Sequence, residues 1–194
     1  MAARIDRWLL TGYAGVAGFL VLEAAFRTPT STGEGVPGHG TADEDQGTTH
    51  ALITAYAVAA ITAPVIKRLP LRRLPTVVQP IGVSLQVAGL ALRAWSMQSL
   101  QASYSRRLRV SNTQRVVEAG PYTHIRHPGY LGSLAVWLGF ALSSGSAAVV
   151  AVVAGLLIPA YRRRMDVEEQ LLSKELLGYE EYRARTKRLI PAVW

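Results

Sequence analysis

The chain contains no cysteine. Disulfide bonds, thiolate metal sites and a cysteine nucleophile are therefore excluded. Histidine is scarce as well, with four residues in the whole sequence. His39 and His50 lie in or beside a stretch rich in glycine, threonine and proline, and neither has a second ligand at a ligating interval. We therefore predict that the protein binds no metal.

Charged residues are few, at 18% of the sequence, and basic residues outnumber acidic ones by 21 to 13. The hydrophobic fraction is 49% and the mean hydropathy is +0.18. A nucleic-acid-binding domain would spread its basic residues over one face among aromatic residues. Here they flank long apolar runs, so we predict membrane spans with basic flanks and no nucleic-acid partner. The length of 194 residues fits one domain.

The first half, residues 1–95, contains three apolar runs, at 8–26, 51–66 and 77–95. About 20 apolar residues cross the hydrocarbon core of a bilayer, so we predict about three transmembrane helices here. Residues 27–49 separate the first two runs. Their glycine, threonine and proline content and an acidic cluster predict a mobile linker that is dispensable for ligand binding.

The second half, residues 96–194, contains two shorter apolar runs separated by a Ser-Ser-Gly-Ser turn. We predict that they form a helical hairpin over 128–162, followed by a polar tail. The predicted fold class is thus an all-α integral membrane protein with about five transmembrane helices, embedded in a lipid bilayer.

Residues 120–132 read Gly-Pro-Tyr-Thr-His-Ile-Arg-His-Pro-Gly-Tyr-Leu-Gly. Pro128 suits the first position of a helix, because its ring presets φ and its missing N–H is not needed there. A helix N-terminus carries partial positive charge and free N–H groups, and it favours anionic groups such as a carboxylate. An arginine and a histidine beside it, at the edge of an apolar run, predict a site for a polar ligand.

This region resembles the isoprenylcysteine carboxyl methyltransferase family. The resemblance covers about 100–191 and rests on three motifs: Gly120-Pro121-Tyr122, then Arg126-His127-Pro128-x-Tyr130-x-Gly132, then Glu168-Glu169. Related membrane enzymes that methylate phospholipid amines share the pattern. After Glu169 the sequence departs from the family, because the glycine that precedes two spaced tyrosines is displaced.

The resemblance implies a membrane methyltransferase that uses S-adenosylmethionine and acts on a lipophilic acceptor. It implies a cofactor pocket at the cytoplasmic face of the cell membrane. Carried over by position, the cofactor-binding residues would be Gln114, Arg115, Val116, Val117, Tyr122, His127, Pro128, Gly129, Tyr130 and Glu168. Arg164 would contact the acceptor as the catalytic residue.

Spacing adds a local expectation. Arg164 and Glu168 are four residues apart and would share one helix face, whereas Glu169 would point elsewhere. Two plainer interpretations remain open. His127-Pro128 could be a helix cap with a packed imidazole, and Arg164 could belong to a basic stop-transfer cluster.

The sequence does not identify the acceptor. A carboxylate acceptor needs no general base, whereas a phenol or an amine must lose a proton. We predict methylation of a carboxyl or phenolic oxygen of a lipophilic small molecule, with N-methylation of a phospholipid amine or a non-catalytic scaffold as alternatives.

One cofactor site draws on both 96–125 and the tail after 162, so these segments should face one compartment. The basic turn at 67–73 should then face the other, against the positive-inside rule.

Overall fold

The computed structural model describes residues 6–26, 45–100 and 116–190. These segments form six α-helices: α1 (Arg7–Ala25), α2 (Thr48–Arg68), α3 (Val78–Leu100), α4 (Pro128–Ser143), α5 (Ala147–Glu175) and α6 (Tyr179–Arg185). A 3₁₀ helix, Gly120–Thr123, precedes α4. No β-strand occurs in the described residues, and the predicted all-α class is confirmed.

Every predicted apolar run lies within one helix. α1 and α2 are long and apolar enough to cross a membrane, and α4 is a shorter apolar helix. The predicted hairpin is present as α4, a short turn and α5. α5 continues without a break through the basic cluster Arg162–Arg164 to Glu175, so its 29 residues extend about 43 Å.

The outer faces of the bundle are apolar. Large exposed hydrophobic side chains lie on α1, α2 and α3, among them Leu10, Leu20, Val21, Ile53, Ile61, Val65, Ile81 and Val87. Soluble monomers rarely expose so continuous an apolar surface. The surface suits contact with lipid tails.

Four glycines bring α3 and α4 into backbone contact. A Cβ on Gly82 would lie 2.6 Å from the Gly139 carbonyl oxygen, and one on Gly89 would lie 2.6 Å from that of Gly132. Gly82 and Gly89 thus form a small-residue face on α3 that meets α4. Close backbone approach through small residues is how membrane helices commonly associate.

The bundle has two distinct ends. At one end the 67–73 turn contacts the α4–α5 turn, where Leu74 N donates to Gly145 O at 2.9 Å and Ala147 N donates to Arg72 O at 3.2 Å. At the other end lie the start of α2, the 3₁₀ helix, the start of α4 and the polar end of α5. Residues 116–125 and the tail after 162 therefore share one end, with 67–73 opposite; residues 101–115 lie outside the described segments.

The predicted linker 27–49 extends too far. Residues 27–44 lie outside the described segments, but 45–47 form a turn and Thr48 begins α2. Asp45 stabilises this start, because its carboxylate accepts from Thr49 N at 3.0 Å and from the Thr48 hydroxyl at 2.9 Å. An acidic side chain here also complements the positive end of the helix dipole.

Arg93, near the end of α3, pairs with a carboxylate on α1. Its Nε donates to Glu23 Oε1 on α1 at 2.9 Å, and both side chains are largely buried. Pairing offsets the large cost of isolated charges between apolar helices.

Candidate active site

The C-terminal tail holds the motif of residues 120–132 in place. Arg126 N donates to Lys187 O at 2.7 Å, and His127 N donates to Arg188 O at 3.1 Å. The Tyr182 hydroxyl, buried on α6, donates to Tyr122 O at 2.8 Å. The displaced glycine, Gly178, adopts φ +84° at the start of α6, which glycine tolerates readily. The tail therefore packs onto the motif despite its departure from the family pattern.

His127 precedes Pro128, the first residue of α4, as predicted. The His127 side chain makes no capping hydrogen bond to the helix. Instead the buried imidazole stacks on Tyr130, with ring centroids 5.4 Å apart, and its Nε2 lies 3.0 Å from Glu169 Oε1. Its role in the site is thus set by contacts with α5 and Tyr130 rather than by capping.

Glu169 does not point away from the site, and that expectation was wrong. Its buried carboxylate accepts from Arg126 Nε at 3.0 Å and lies 3.4 Å from Arg188 Nε. The side chains of neighbouring helix residues point about 100° apart. The imidazole of His127 is nevertheless wide enough for both Glu168 and Glu169 to contact it. Burial alone would raise the pKa of Glu169, but the hydrogen bonds and charges of His127 and Arg126 lower it to about 2.

Glu168 lies on the other side of the imidazole, with Oε2 3.8 Å from His127 Nδ1. About a quarter of its side chain is exposed, yet Oε2 itself is buried. Within the described part of the chain, this oxygen has no hydrogen-bond partner. A buried carboxylate oxygen without a donor is costly, so the position suits a ligand that brings an N–H or O–H group.

Arg164 is buried, with 3% of its surface exposed. Its Nε donates to the Tyr130 hydroxyl at 3.1 Å, and its Nη1 donates to the hydroxyls of Thr48 and Thr49 at 2.8 Å each. Nη1 also forms an ion pair with Asp45. The guanidinium therefore does more than an exposed stop-transfer arginine would, because it joins the start of α2 to α4 and α5.

The structure brings most of the predicted site residues to one end of the bundle: Tyr122, His127, Pro128, Gly129, Tyr130, Arg164 and Glu168. Val116 packs on the tail near Leu176, Tyr179 and Tyr182. Val117 is partly buried beside it, and Gln114 and Arg115 lie outside the described residues. A Cβ on Gly129 would lie 2.6 Å from Arg93 Nη1, so the Glu23–Arg93 pair adjoins the start of α4.

Sequence reasoning missed Asp45, Thr48 and Thr49 as neighbours of the site. An acidic residue followed by two threonines before an apolar run is a helix-start signal, and it could have placed the start of α2. Their contact with Arg164 spans more than a hundred residues and has no local signal. In the residues described, no group of three or more potential ligands could hold a metal ion.

Residues 82–174 match the family model described as the isoprenylcysteine carboxyl methyltransferase (ICMT) family. The match begins in α3, contains the motif at the start of α4, and ends one residue before the end of α5. No curated protein matches the chain. The resemblance that the motifs indicated is thereby confirmed. Residues 82–174, just under half of the chain, are therefore similar to the isoprenylcysteine carboxyl methyltransferase family, which is a methyltransferase family.

Proposed function

We propose that the protein is an S-adenosylmethionine-dependent methyltransferase that crosses the cell membrane with about five helices. It methylates a carboxyl or phenolic oxygen of a lipophilic small molecule, from a site that faces the cytoplasm. The observation that carries the proposal is Glu168 Oε2, a buried carboxylate oxygen beside His127 that has no hydrogen-bond partner in residues 6–26, 45–100 and 116–190 and lies within the family-matched region.

The five-helix arrangement is supported by packing as well as by length. α3 and α4 are joined through glycines, and α4 and α5 form a hairpin. α4 has only 16 residues, but its N-terminus lies at the same end as the polar part of α5. A site at that end can therefore contact both the aqueous phase and the acyl region of the bilayer.

The residues present fit the cofactor. S-Adenosylmethionine carries a carboxylate, an ammonium group and ribose hydroxyls. The positive end of the α4 dipole suits the carboxylate, and Glu168 Oε2 suits an ammonium or hydroxyl donor. Tyr122, Gly129, Val116 and Val117 are among the residues that the resemblance implies for cofactor binding.

When bound, the cofactor supplies a methyl group on a positively charged sulfur. The protein's part is to align donor and acceptor and to exclude water from them. His127 and Tyr130 stack to form one wall of the site, and Glu169 with Arg126 holds His127 in place. Arg164 fixes the Tyr130 hydroxyl and contributes a positive charge near the acceptor.

Calorimetry on the purified protein in detergent tests the cofactor half of the proposal. We expect S-adenosylmethionine and its demethylated product to bind, and Glu168→Gln to weaken binding by about tenfold or more. Glu180→Gln removes an exposed carboxylate from α6 and should leave the affinity unchanged. Absence of binding at millimolar concentration in a folded sample would refute the proposal. Incubation of the protein with labelled cofactor and a total lipid extract then identifies the acceptor class from the molecules that receive the labelled methyl group.

A further inference from the structure

The basic turn at 67–73 borders a cavity that the proposed site does not use. The cavity lies at the end of the bundle opposite the motif of residues 120–132 and has a volume of about 290 Å³. Its lining includes six polar residues: Asp6, Lys67, Arg73, Thr76, Gln79 and Ser144. Pockets for small molecules usually measure roughly 300–1,000 Å³, so this cavity suits a small polar group rather than a whole large ligand.

The shape of the cavity is fixed by contacts between two turns. Leu74 N donates to Gly145 O at 2.9 Å, and Ala147 N donates to Arg72 O at 3.2 Å. A Cβ on Gly145 would lie 2.7 Å from Gln79 Nε2, so the Gln79 amide packs against the α4–α5 turn. The walls are therefore built by the fold before any ligand binds.

Positive charge dominates this cavity. Lys67 forms an ion pair with Asp6, which is the one carboxylate lining the cavity in the described part of the chain. Asp6 also caps α1, because its carboxylate accepts from Trp8 N and Leu9 N at 3.1 Å each. The Arg73 guanidinium donates to the Lys67 carbonyl oxygen and has no carboxylate partner among the described residues. The cavity therefore carries one positive charge more than it balances.

The surroundings of the cavity are those of a membrane surface. Leu69 and Leu71 alternate with the basic residues of the turn, and about half of the surface of each is exposed. Leu10 on α1, Val65 on α2 and Ile81 on α3 are also exposed, each within about a turn of a residue that lines the cavity. Basic residues beside exposed apolar side chains match the boundary between lipid headgroups and acyl chains.

We propose that this cavity binds the headgroup of an anionic phospholipid from the surrounding leaflet. Lys67 and Arg73 donate to the phosphate through charge-assisted hydrogen bonds. The Thr76 hydroxyl and the Gln79 amide donate to the remaining headgroup oxygens. The acyl chains lie along the exposed apolar faces of α1, α2 and α3.

The lipid supplies the negative charge that the cavity lacks. A zwitterionic headgroup fits less well, because its own cation enters a cavity that is already positive. A free phosphate compound fits less well too, because it has no acyl chains to contact the apolar faces. The proposal gives a role to basic residues on the side where the five-helix topology leaves them against the positive-inside rule. It depends neither on the cofactor nor on which compartment this end faces.

Native mass spectrometry of the full chain in detergent tests the proposal. Dioleoylphosphatidylglycerol and dioleoylphosphatidylcholine share their acyl chains and differ only in the headgroup. Titration in about 0.5 M ammonium acetate shortens the screening length to roughly 4 Å and suppresses diffuse attraction to basic surfaces. We expect phosphatidylglycerol to bind at least about tenfold more tightly than phosphatidylcholine. Free glycerol 1-phosphate should give no complex at the same concentration.

Three variants locate the site. Arg73→Gln removes a charge from the cavity and should weaken phosphatidylglycerol binding by about tenfold or more. The matched control is Arg68→Gln, which removes an equal charge from an exposed residue of the same turn that does not line the cavity. Its affinity should stay within about twofold of the wild type, because the salt screens exposed charges. Asp6→Asn removes the carboxylate of the cavity but keeps a residue that caps helices well, so binding should become about threefold tighter or more.

Equal losses in Arg73→Gln and Arg68→Gln would show diffuse surface attraction and overturn the proposal. Equal binding of the two lipids would overturn it as well, and so would displacement of phosphatidylglycerol by equimolar glycerol 1-phosphate. If Arg73→Gln does not fold, Asp6→Asn decides: an affinity that stays the same or falls refutes the proposal, since only an anion in the cavity gains from losing this carboxylate. All of these measurements are independent of methyl transfer.

Discussion

Two adjacent carboxylates on α5 lie on either side of the His127 imidazole, and their surroundings differ. Glu169 is engaged by His127, Arg126 and Arg188. Glu168 keeps a buried oxygen without a hydrogen-bond partner among the described residues. We therefore propose that Glu169 is a structural anchor and that Glu168 binds the ligand. Exchanging the two tasks would require the helix to rotate by about 100°.

The two carboxylates should therefore respond differently to the same substitution. We expect Glu168→Gln to weaken cofactor binding with little change in the thermal midpoint. Glu169→Gln should lower the free energy of unfolding by about 3 kcal/mol, because it breaks a buried, multiply paired charge. Calorimetry and thermal unfolding in detergent measure both quantities. The opposite pattern would show that Glu169 is the cofactor-binding residue and that our assignment is off by one.

Glu169 also predicts a pH dependence of stability. Its folded pKa of about 2 lies below the ordinary value of 4.5, so the folded state binds this proton more weakly than the unfolded state does. The stabilisation it provides is complete above pH 4.5 and is lost as the pH falls towards 2. The difference in thermal midpoint between wild type and Glu169→Gln should therefore shrink from pH 6 to pH 3. A constant difference over that range would contradict this linkage.

At the scale of elements, the sequence was informative where the signal is local. The apolar runs and Pro128 at the start of α4 each predicted a feature that the structure contains. The partners of Arg93 and Arg164 were not predictable, because they lie on helices distant in sequence and depend on how those helices rotate in the bundle. α2 starts earlier than expected because Asp45 stabilises its start. Composition alone had assigned this residue to a linker.

The α3–α4 contact gives a prediction at this scale. A Cβ on Gly139 would lie 2.4 Å from the Gly82 carbonyl oxygen, which is fixed helix backbone. We expect Gly139→Ala to force the helices apart and to destabilise the protein by about 1–3 kcal/mol.

The matched control for this substitution is Gly155→Ala on α5, where nothing lies within 4 Å of the added Cβ. We expect it to be neutral or slightly stabilising, because alanine favours helix over glycine. Thermal unfolding in detergent compares the two variants. Equal midpoints would show that α3 and α4 do not rely on backbone contact.

At the scale of the whole molecule, the fold divides its charged residues between two ends. One end carries Lys67, Arg68, Arg72 and Arg73, and the other carries the basic groups of the motif and tail. If α1 to α5 all cross the bilayer, the order of the helices along the chain alone places these two groups of charged residues on opposite sides. Charge counting could not decide which end faces the cytoplasm, because both ends are basic.

Single cysteines in this cysteine-free chain test the arrangement. Thr123 and Lys174 are exposed at the end that holds the proposed site, and Arg72 is exposed at the other. With a membrane-impermeant thiol reagent, we expect the cysteines of Thr123→Cys and Lys174→Cys to be labelled from the same side of the membrane. This labelling should occur only after the cells are opened. Arg72→Cys should label in intact cells, because a cytoplasmic site places the 67–73 turn outside. Labelling of all three from one side would contradict the five-helix topology, because one crossing, α3, separates Arg72 from Thr123, and two crossings, α4 and α5, return the chain to the same side at Lys174. Labelling of Thr123 and Lys174 alone in intact cells would keep the five crossings but reverse the orientation.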